Sequence, residues 1–239
     1  MLMLLGDIHG NFVMFNEMMK RFPHEWPLTI IQVGDFGFHK YTMKMWPTKF
    51  PWKVYAIDGN HEYFPLIEYD VVTEVHDNLF FVPRGTTLTI EGYDIGFVGG
   101  AESVDKAWRA AGIDWWPKER VTEADINKLY GKKMDLLVTH APPISVIKNR
   151  FSPINKQSWG LPADWIDESS NMIEKLWKEL KYVPLVCGHM HASKWAPNYR
   201  ILGINEMYFL PVKKEGVAID LSLSGMPLRS AEESAKAFM

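Results

Sequence analysis

The chain has few of the features that mark secreted or membrane-bound proteins. It has one cysteine, Cys187, in 239 residues, which excludes an intramolecular disulfide framework and is typical of a reducing cytoplasm. No apolar run reaches the roughly 18 residues of a membrane-spanning helix, and the opening run Met1–Leu5 is too short for a signal peptide. We therefore expect a cytoplasmic protein with no membrane partner.

Charge of one sign and linker sequence are also scarce. The formal net charge is −3 and the pI is near 6.2, so the overall charge of the protein does not favour binding to nucleic acid. Binding through a local basic groove remains an alternative. No Ser/Gly-rich linker, low-complexity tract or repeat divides the chain. We predict a single domain over 1–239, with a candidate substrate lid at 147–164 and a tail at 228–239.

One tripeptide suggests a kinase, but its companion motifs are missing. Residues 35–37 read Asp-Phe-Gly, which holds magnesium in protein kinases. The sequence has no Gly-rich nucleotide loop, no His-Arg-Asp catalytic loop and no Walker P-loop. We therefore exclude a kinase and look for another role for Asp35.

Short apolar runs alternate with helical periodicity along the chain. Strands are predicted at Met1–Leu5, Leu28–Val33, Lys53–Ile57, Thr86–Ile90, Asp94–Val98, Leu136–Thr139 and Pro184–Cys187. Helices are predicted at Asn11–Phe22, after Thr122 and at Ser169–Leu180. A closing antiparallel set is expected from Arg200–Ile204, Glu206–Leu210 and Val217–Leu221. This interleaving predicts an α/β fold of mixed sheets covered by helices.

Metal-capable polar residues follow five of these strands. They read Gly6-Asp7-Ile8-His9-Gly10, Gly34-Asp35, Gly59-Asn60-His61-Glu62, Thr139-His140 and Gly188-His189-Met190-His191. Ligands collect at the carboxyl ends of strands in sheets of this class, and the neighbouring glycines permit sharp turns. About seven carboxylate, imidazole and amide ligands are too many for one tetrahedral zinc. Two ions sharing a bridging carboxylate would use them all.

The ordered set of motifs resembles the calcineurin-like metallophosphoesterase superfamily, whose pattern is D-x-H, G-D, G-N-H-D/E, H and G-H-x-H. The resemblance spans Asp7 to His191. It implies a four-layer sandwich, in which two mixed β-sheets pack face to face and helices flank them. It also implies that Asp7, His9 and His191 hold one ion, that Asn60, His140 and His189 hold the other, and that Asp35 bridges both. His61 matches the family's catalytic histidine.

Two such ions can share a hydroxide and clamp the oxygens of a phosphate, while a histidine gives the leaving oxygen its proton. We therefore predict a dinuclear hydrolase of phosphomonoesters or phosphodiesters, with His61 as general acid. Mixed nitrogen and oxygen ligation fits manganese or iron first, and also zinc, cobalt or nickel. The substrate class stays open between a protein phosphatase, a dinucleoside polyphosphate hydrolase and a nuclease. A non-catalytic scaffold is the remaining alternative.

The chain departs from the family at two positions. Many relatives extend the second motif to G-D-x-x-D-R-G, where the second Asp orients the catalytic histidine and the Arg binds phosphate; here Phe38 and His39 stand there. No motif residue is therefore assigned to orient His61. Replacement substrate contacts are expected from His39 and, in the segment 99–109, from Lys106 and Arg109.

Overall fold

The computed structural model describes residues 1–210, 213, 216 and 218–222. The strands are β1 (Leu2–Leu5), β2 (Thr29–Gln32), β3 (Lys53–Ala56), β4 (Thr73–His76), β5 (Leu79–Phe81), β6 (Thr86–Ile90), β7 (Tyr93–Val98), β8 (Leu136–Thr139), β9 (Leu185–Cys187), β10 (Lys194–Ala196), β11 (Tyr199–Ile201) and β12 (Met207–Leu210). The helices are α1 (Phe12–Met19), α2 (Glu123–Asn127), α3 (Ile144–Arg150) and α4 (Glu168–Glu179). The predicted tail at 228–239 lies outside the described residues.

The strands form two mixed six-stranded sheets, as the fold prediction requires. The strand order is β12-β1-β2-β3-β5-β4 in the first sheet and β10-β11-β9-β8-β7-β6 in the second. In the first sheet β1, β2 and β3 are parallel neighbours, and in the second β8 and β9 are parallel neighbours. The carboxyl ends of parallel neighbours lie at the same edge of a sheet, so the loops that follow them are brought together.

The prediction of a closing antiparallel set was wrong. Strand β11 pairs parallel with β9 and antiparallel with β10, in the second sheet. Strand β12 instead pairs antiparallel with β1, in the first sheet. The last predicted strand, Val217–Leu221, begins outside the described residues. Apolar alternation identifies a strand but not its partner, because both sheets offer a buried face to it.

The side chains of β1 show how the layers stack. Leu2 and Leu4 pack with Val138 and Val186 of the second sheet, so this face lies between the two sheets. Met3 and Leu5 point the other way and pack with residues of α1. A third cluster joins the outer face of the second sheet to α4. Alternate side chains of a strand serve opposite faces, and the result is the predicted helix–sheet–sheet–helix sandwich.

Helices α2 and α4 begin at side-chain caps, of which only the first was predicted. Thr122 and Asp125 form a reciprocal capping box at the start of α2. Asp167 caps α4, accepting hydrogen bonds from the backbone N and side-chain Oγ of Ser170 at 2.8 Å each. Helix α1 is shorter than predicted and ends at Met19. The candidate lid at 147–164, which showed little periodicity, contains most of α3 and a short 3-10 turn at Gln157–Trp159.

Among the described residues, no helix has the length and apolar composition needed to cross a membrane. The longest, α4, has 12 residues.

Candidate metal centre

Three loops of the first sheet and two of the second meet at one edge of the sandwich. Asp7, Asp35 and Asn60 follow β1, β2 and β3, while His140 and His189 follow β8 and β9. The five polar motifs of the sequence therefore converge, as strand-end placement predicts.

Four of the seven predicted ligands form a compact group. The ligand atoms of Asp7, His9, Asp35 and His191 all lie within 4.8 Å of one another. Nε2 of His9 is 2.8 Å from Nε2 of His191, and Nε2 of His191 is 3.4 Å from Oδ2 of Asp7. Two imidazoles and two carboxylates at these separations match the ligand types of a divalent transition-metal site.

The other three predicted ligands form a second group beside the first. Oδ1 of Asn60 lies 3.2 Å from Nε2 of His140 and 3.1 Å from Nδ1 of His189. His140 also places Nδ1 2.8 Å from the backbone oxygen of Val33. When Nδ1 donates its hydrogen to that carbonyl, the lone pair of a neutral ring is left on Nε2, where it can bind a metal.

Asp35 lies between the two groups. Its Oδ2 is 3.7 Å from Nε2 of His9 and 3.4 Å from Nε2 of His140. Among the described residues this buried oxygen has no hydrogen-bond partner, while Oδ1 accepts the backbone N–H of His61 at 2.9 Å. A buried carboxylate oxygen without a donor is costly unless a cation occupies the space beside it. The residues present therefore fit a metal centre.

The loops achieve this convergence with an unusual backbone. His9, Asp35, His189 and His191 have φ angles of 47°, 54°, 68° and 52°, in the left-handed region. Non-glycine residues rarely adopt it, and such strain clusters at functional sites. The loops also approach closely: a Cβ on Gly59 would lie 2.0 Å from Oδ1 of Asp35. Only glycine fits there.

The electrostatics of Asp35 and His140 are strongly linked. Burial raises the pKa of Asp35, but His140, with smaller contributions from His61 and His9, outweighs burial and holds that pKa well below its usual range. Burial lowers the pKa of His140, and the Asp35 carboxylate in turn raises it to about 9. Burial and the charge of His140 lower the pKa of His189 to about 3. The site is thus a carboxylate surrounded by imidazoles.

His61 lies on the exposed side of this centre, and its ring centroid is 5.1 Å from that of His9. Nη2 of Arg109 approaches Nδ1 of His61 at 2.9 Å and Nε2 at 3.2 Å, and the same nitrogen donates to Oδ2 of Asp105 at 2.8 Å. Desolvation lowers the pKa of His61; Asp35 opposes this shift and Arg109 adds to it. The sequence suggested Arg109 but gave no signal for its contact with His61.

The other two expected substrate contacts have different surroundings. His39 lies between Tyr41 and Tyr63, with ring centroids 5.1 and 5.5 Å away. Nζ of Lys106 is 3.2 Å from Oε2 of Glu102. Neither contact involves one of the seven predicted ligands.

Phe38, which stands where relatives carry an Asp, is buried against Phe36 and Phe81. This position therefore contributes to the hydrophobic core rather than to the orientation of His61.

Glu62 is a supporting residue to which the sequence reasoning gave no role. Its buried carboxylate accepts hydrogen bonds from the backbone N–H groups of Phe36 at 2.7 Å, Gly37 at 3.1 Å and Phe38 at 2.6 Å. Burial and the charge of Asp35 raise the pKa of Glu62 to about 8. Glu62 thus holds the loop that presents Asp35. Its place at the end of Gly59-Asn60-His61-Glu62 was the only signal.

Two comparisons with known proteins bear on the identity of the chain. A search of curated proteins gave no match to the chain. The family model described as calcineurin-like phosphoesterase matches residues 2–193, a range that contains all seven predicted ligands and His61. The chain therefore belongs to the calcineurin-like phosphoesterase family.

Proposed function

We propose that this protein is a dinuclear metal-dependent hydrolase of phosphate esters. Family membership supports phosphoester hydrolysis in general. The observation that carries the dinuclear assignment is the position of Asp35, whose Oδ2 lies 3.7 Å from His9 and 3.4 Å from His140, in two adjoining ligand groups.

The residues divide between two ions in the following way. Asp7, His9 and His191 would hold one ion together with Asp35, and Asn60, His140 and His189 would hold the other, also with Asp35. Manganese or iron fits this donor set first, and zinc, cobalt and nickel are the alternatives. When bound, such ions lower the pKa of water and neutralise charge on a phosphate.

Arg109 is the best candidate for the substrate's anionic group. Nη2 of its guanidinium contacts His61 and also donates to Oδ2 of Asp105 at 2.8 Å. A guanidinium fork matches two oxygens of a phosphate. Lys106 and His39 are weaker candidates, because Lys106 is paired with Glu102 and His39 packs between tyrosines.

His61 is proposed to give a proton to the leaving oxygen after water attacks phosphorus, without a covalent phosphoenzyme. Its lowered pKa favours a neutral ring in the free protein at pH 7. A phosphate bound to Arg109 places negative charge next to the ring. That charge favours the protonated form needed of a general acid.

A hydrolysis panel with manganese tests the proposal. It compares p-nitrophenyl phosphate, its bis-ester, 2′,3′-cyclic nucleotides, dinucleoside polyphosphates, phosphopeptides and single-stranded DNA. We expect turnover of at least one substrate, and the pattern separates phosphatase, nucleotide hydrolase and nuclease activity. A protein that binds manganese and hydrolyses none of them would instead be a scaffold with this fold.

A further inference from the structure

A chain of three buried side chains leads away from the second ligand group. Nδ2 of Asn60 donates to Oγ of Ser103 at 3.0 Å, and Oγ of Ser103 donates to Oε2 of Glu119 at 2.6 Å. The backbone N–H of Ser103 donates to the other carboxylate oxygen, Oε1, at 2.8 Å. Asn60, Ser103 and Glu119 are 3%, 1% and 0% exposed, so water cannot replace these contacts.

Burial raises the pKa of Glu119, although the hydrogen bonds from Ser103 oppose the shift. With Glu119 ionised, the donors and acceptors in this chain can be arranged in one direction only. An ionised carboxylate accepts hydrogen bonds and donates none, so the Ser103 hydroxyl hydrogen must point to Glu119. Oγ of Ser103 is then left as an acceptor toward Asn60. Only the NH₂ half of the amide can satisfy it, and Oδ1 is consequently turned toward His140 and His189.

This direction matters because the two halves of an asparagine amide have nearly the same shape. A rotation of the amide by 180° would fit the same space but would present NH₂ to the ligand group. An amide nitrogen carrying two hydrogens has no lone pair suitable for a metal, whereas the amide oxygen is a ligand.

We propose that Ser103 and Glu119 are positioning residues, which fix the amide of Asn60 so that its oxygen faces the second ion. The inference rests on the proposed metal centre. Neither residue touches substrate or ion; they act through Asn60.

The location of the pair supports this role. Ser103 belongs to the loop that follows β7, and Glu119 closes the 3-10 turn Pro117–Glu119. The loop is also fixed at its start, where the backbone N–H of Gly100 donates to the carbonyl oxygen of Asp58 at 2.8 Å. The loop after β7 is therefore held against the loop that carries Asn60 at two points, Gly100 and Ser103.

Glu119→Gln is the most direct test, because it preserves the shape of the side chain and should reverse the direction of the hydrogen bonds between Asn60, Ser103 and residue 119. The backbone N–H of Ser103 still requires an oxygen opposite it, so the glutamine must turn its NH₂ toward Oγ of Ser103. The buried Ser103 hydroxyl hydrogen then has no acceptor at residue 119. It is satisfied when the hydroxyl donates to Asn60, whose oxygen turns away from the ligand group. We expect the dissociation constant of the second manganese ion, measured by calorimetry and metal analysis, to rise about 10- to 100-fold.

The chain contains a matched control. Oε2 of Glu174 accepts both the hydroxyl of Ser145 at 2.6 Å and its backbone N–H at 3.3 Å, so a serine–glutamate pair recurs here with no predicted metal ligand attached to it. Glu174→Gln should leave both manganese affinities unchanged. Ser103→Thr, which keeps the hydroxyl, should bind like the wild type, and Ser103→Ala should weaken the second ion.

A double variant separates orientation from general damage. In Asn60→Asp, both side-chain oxygens are acceptors. As long as the Ser103 hydroxyl donates to Glu119, one of these oxygens faces a lone pair of Ser103 and has no donor. Adding Glu119→Gln supplies a hydroxyl donor, and we expect Asn60→Asp/Glu119→Gln to bind the second ion more tightly than Asn60→Asp alone. A simple loss of packing predicts the opposite.

The outcomes distinguish this inference from the proposed function. If Glu119→Gln binds two manganese ions with the same dissociation constants as the wild type, Ser103 and Glu119 have no positioning role, and the proposed metal centre is unaffected. A wild type that binds no manganese would overturn the metal centre and the inference with it. If Glu119→Gln does not fold, the comparison of Ser103→Ala with Ser103→Thr gives the same decision.

Discussion

Nη2 of Arg109 lies 2.9 Å from Nδ1 of His61, although 48 positions separate the two residues in sequence. The partner of His61 is thus a cation held by Asp105, not a carboxylate from the second motif. This arrangement places the guanidinium that we propose as the phosphate-binding group directly beside the proposed general acid.

Removing the fork of Arg109 should weaken substrate binding. Arg109→Lys keeps the positive charge but loses the two parallel donors, and Arg109→Met loses both. A hydrogen bond to a charged group contributes about 1.5–3 kcal/mol, so we expect kcat/KM to fall about 10- to 100-fold, with the larger loss in Arg109→Met. Steady-state kinetics measure this, and Arg120→Lys, which is paired with Glu102 instead, should be unchanged. Equal kinetics for all variants would exclude Arg109 from substrate binding.

His61→Ala should separate chemistry from metal binding. His61 gives no side-chain ligand in the proposed assignment, so both ions should remain bound. Loss of a general acid typically lowers turnover about 10²- to 10⁴-fold. Metal analysis and kcat measured on the same sample check both halves. Turnover equal to that of the wild type would remove His61 from the reaction.

Asp35→Asn should reduce the content of both ions together. Oδ2 of Asp35 adjoins both ligand groups, so one substitution removes a negative charge from each. Asp77→Asn, at an exposed position, provides the control with the same chemical change. Metal analysis after equilibration with manganese is the measurement. Two full equivalents in Asp35→Asn would contradict the bridging position.

Asp167 should make stability depend on pH in a defined window. Burial raises its pKa from 3.8 to about 6 in the folded protein, although hydrogen bonds from Ser170 oppose the shift. Between these values the native state binds more protons than the unfolded state, so the unfolding free energy falls as pH rises from about 4 to 6. The pKa difference between the two states corresponds to a total loss of about 3 kcal/mol in unfolding free energy, which is complete above pH 6.

Asp167→Asn removes this titration and keeps a side chain that can cap α4. The variant should be more stable than the wild type above pH 6, and the advantage should disappear by about pH 4. Urea unfolding followed by tryptophan fluorescence at several pH values measures both curves. If the unfolding free energies of the two proteins differ by a constant amount across this pH range, the pKa of Asp167 is not raised in the folded protein.

The sequence was sufficient to predict those parts of the site that depend on one strand at a time. An apolar run that stops at Gly-Asp or Gly-His identifies both the strand and the ligand after it, and parallel pairing brings such ends together. The predicted ligands Asp7, Asp35, Asn60, His140 and His189 were proposed in this way, and the structure brings them together. Helix starts at Thr122 and Asp167 follow equally local rules, although only the first was predicted.

The features that sequence could not supply depend on contacts between distant loops. Arg109, Ser103 and Glu119 lie in a segment without a motif, and their roles arise only when it folds against the loop of Asn60 and His61. The partners of β11 and β12 were missed for a similar reason, because apolar alternation does not encode which sheet a strand joins. A pattern in one sequence can indicate the chemical role of a residue, but it does not identify the residues that contact it in the folded protein.

The ligand loops come from both sheets, three from the first and two from the second. Under the proposed assignment, each ion is held by residues from both sheets and so acts as a cross-link across the sandwich interface. Ions that bind only the native state stabilise it, by about 2.7 kcal/mol at a free concentration 100 times the dissociation constant. Metal supply would then raise the unfolding free energy of this protein, in addition to any effect on the hydrolysis of a substrate.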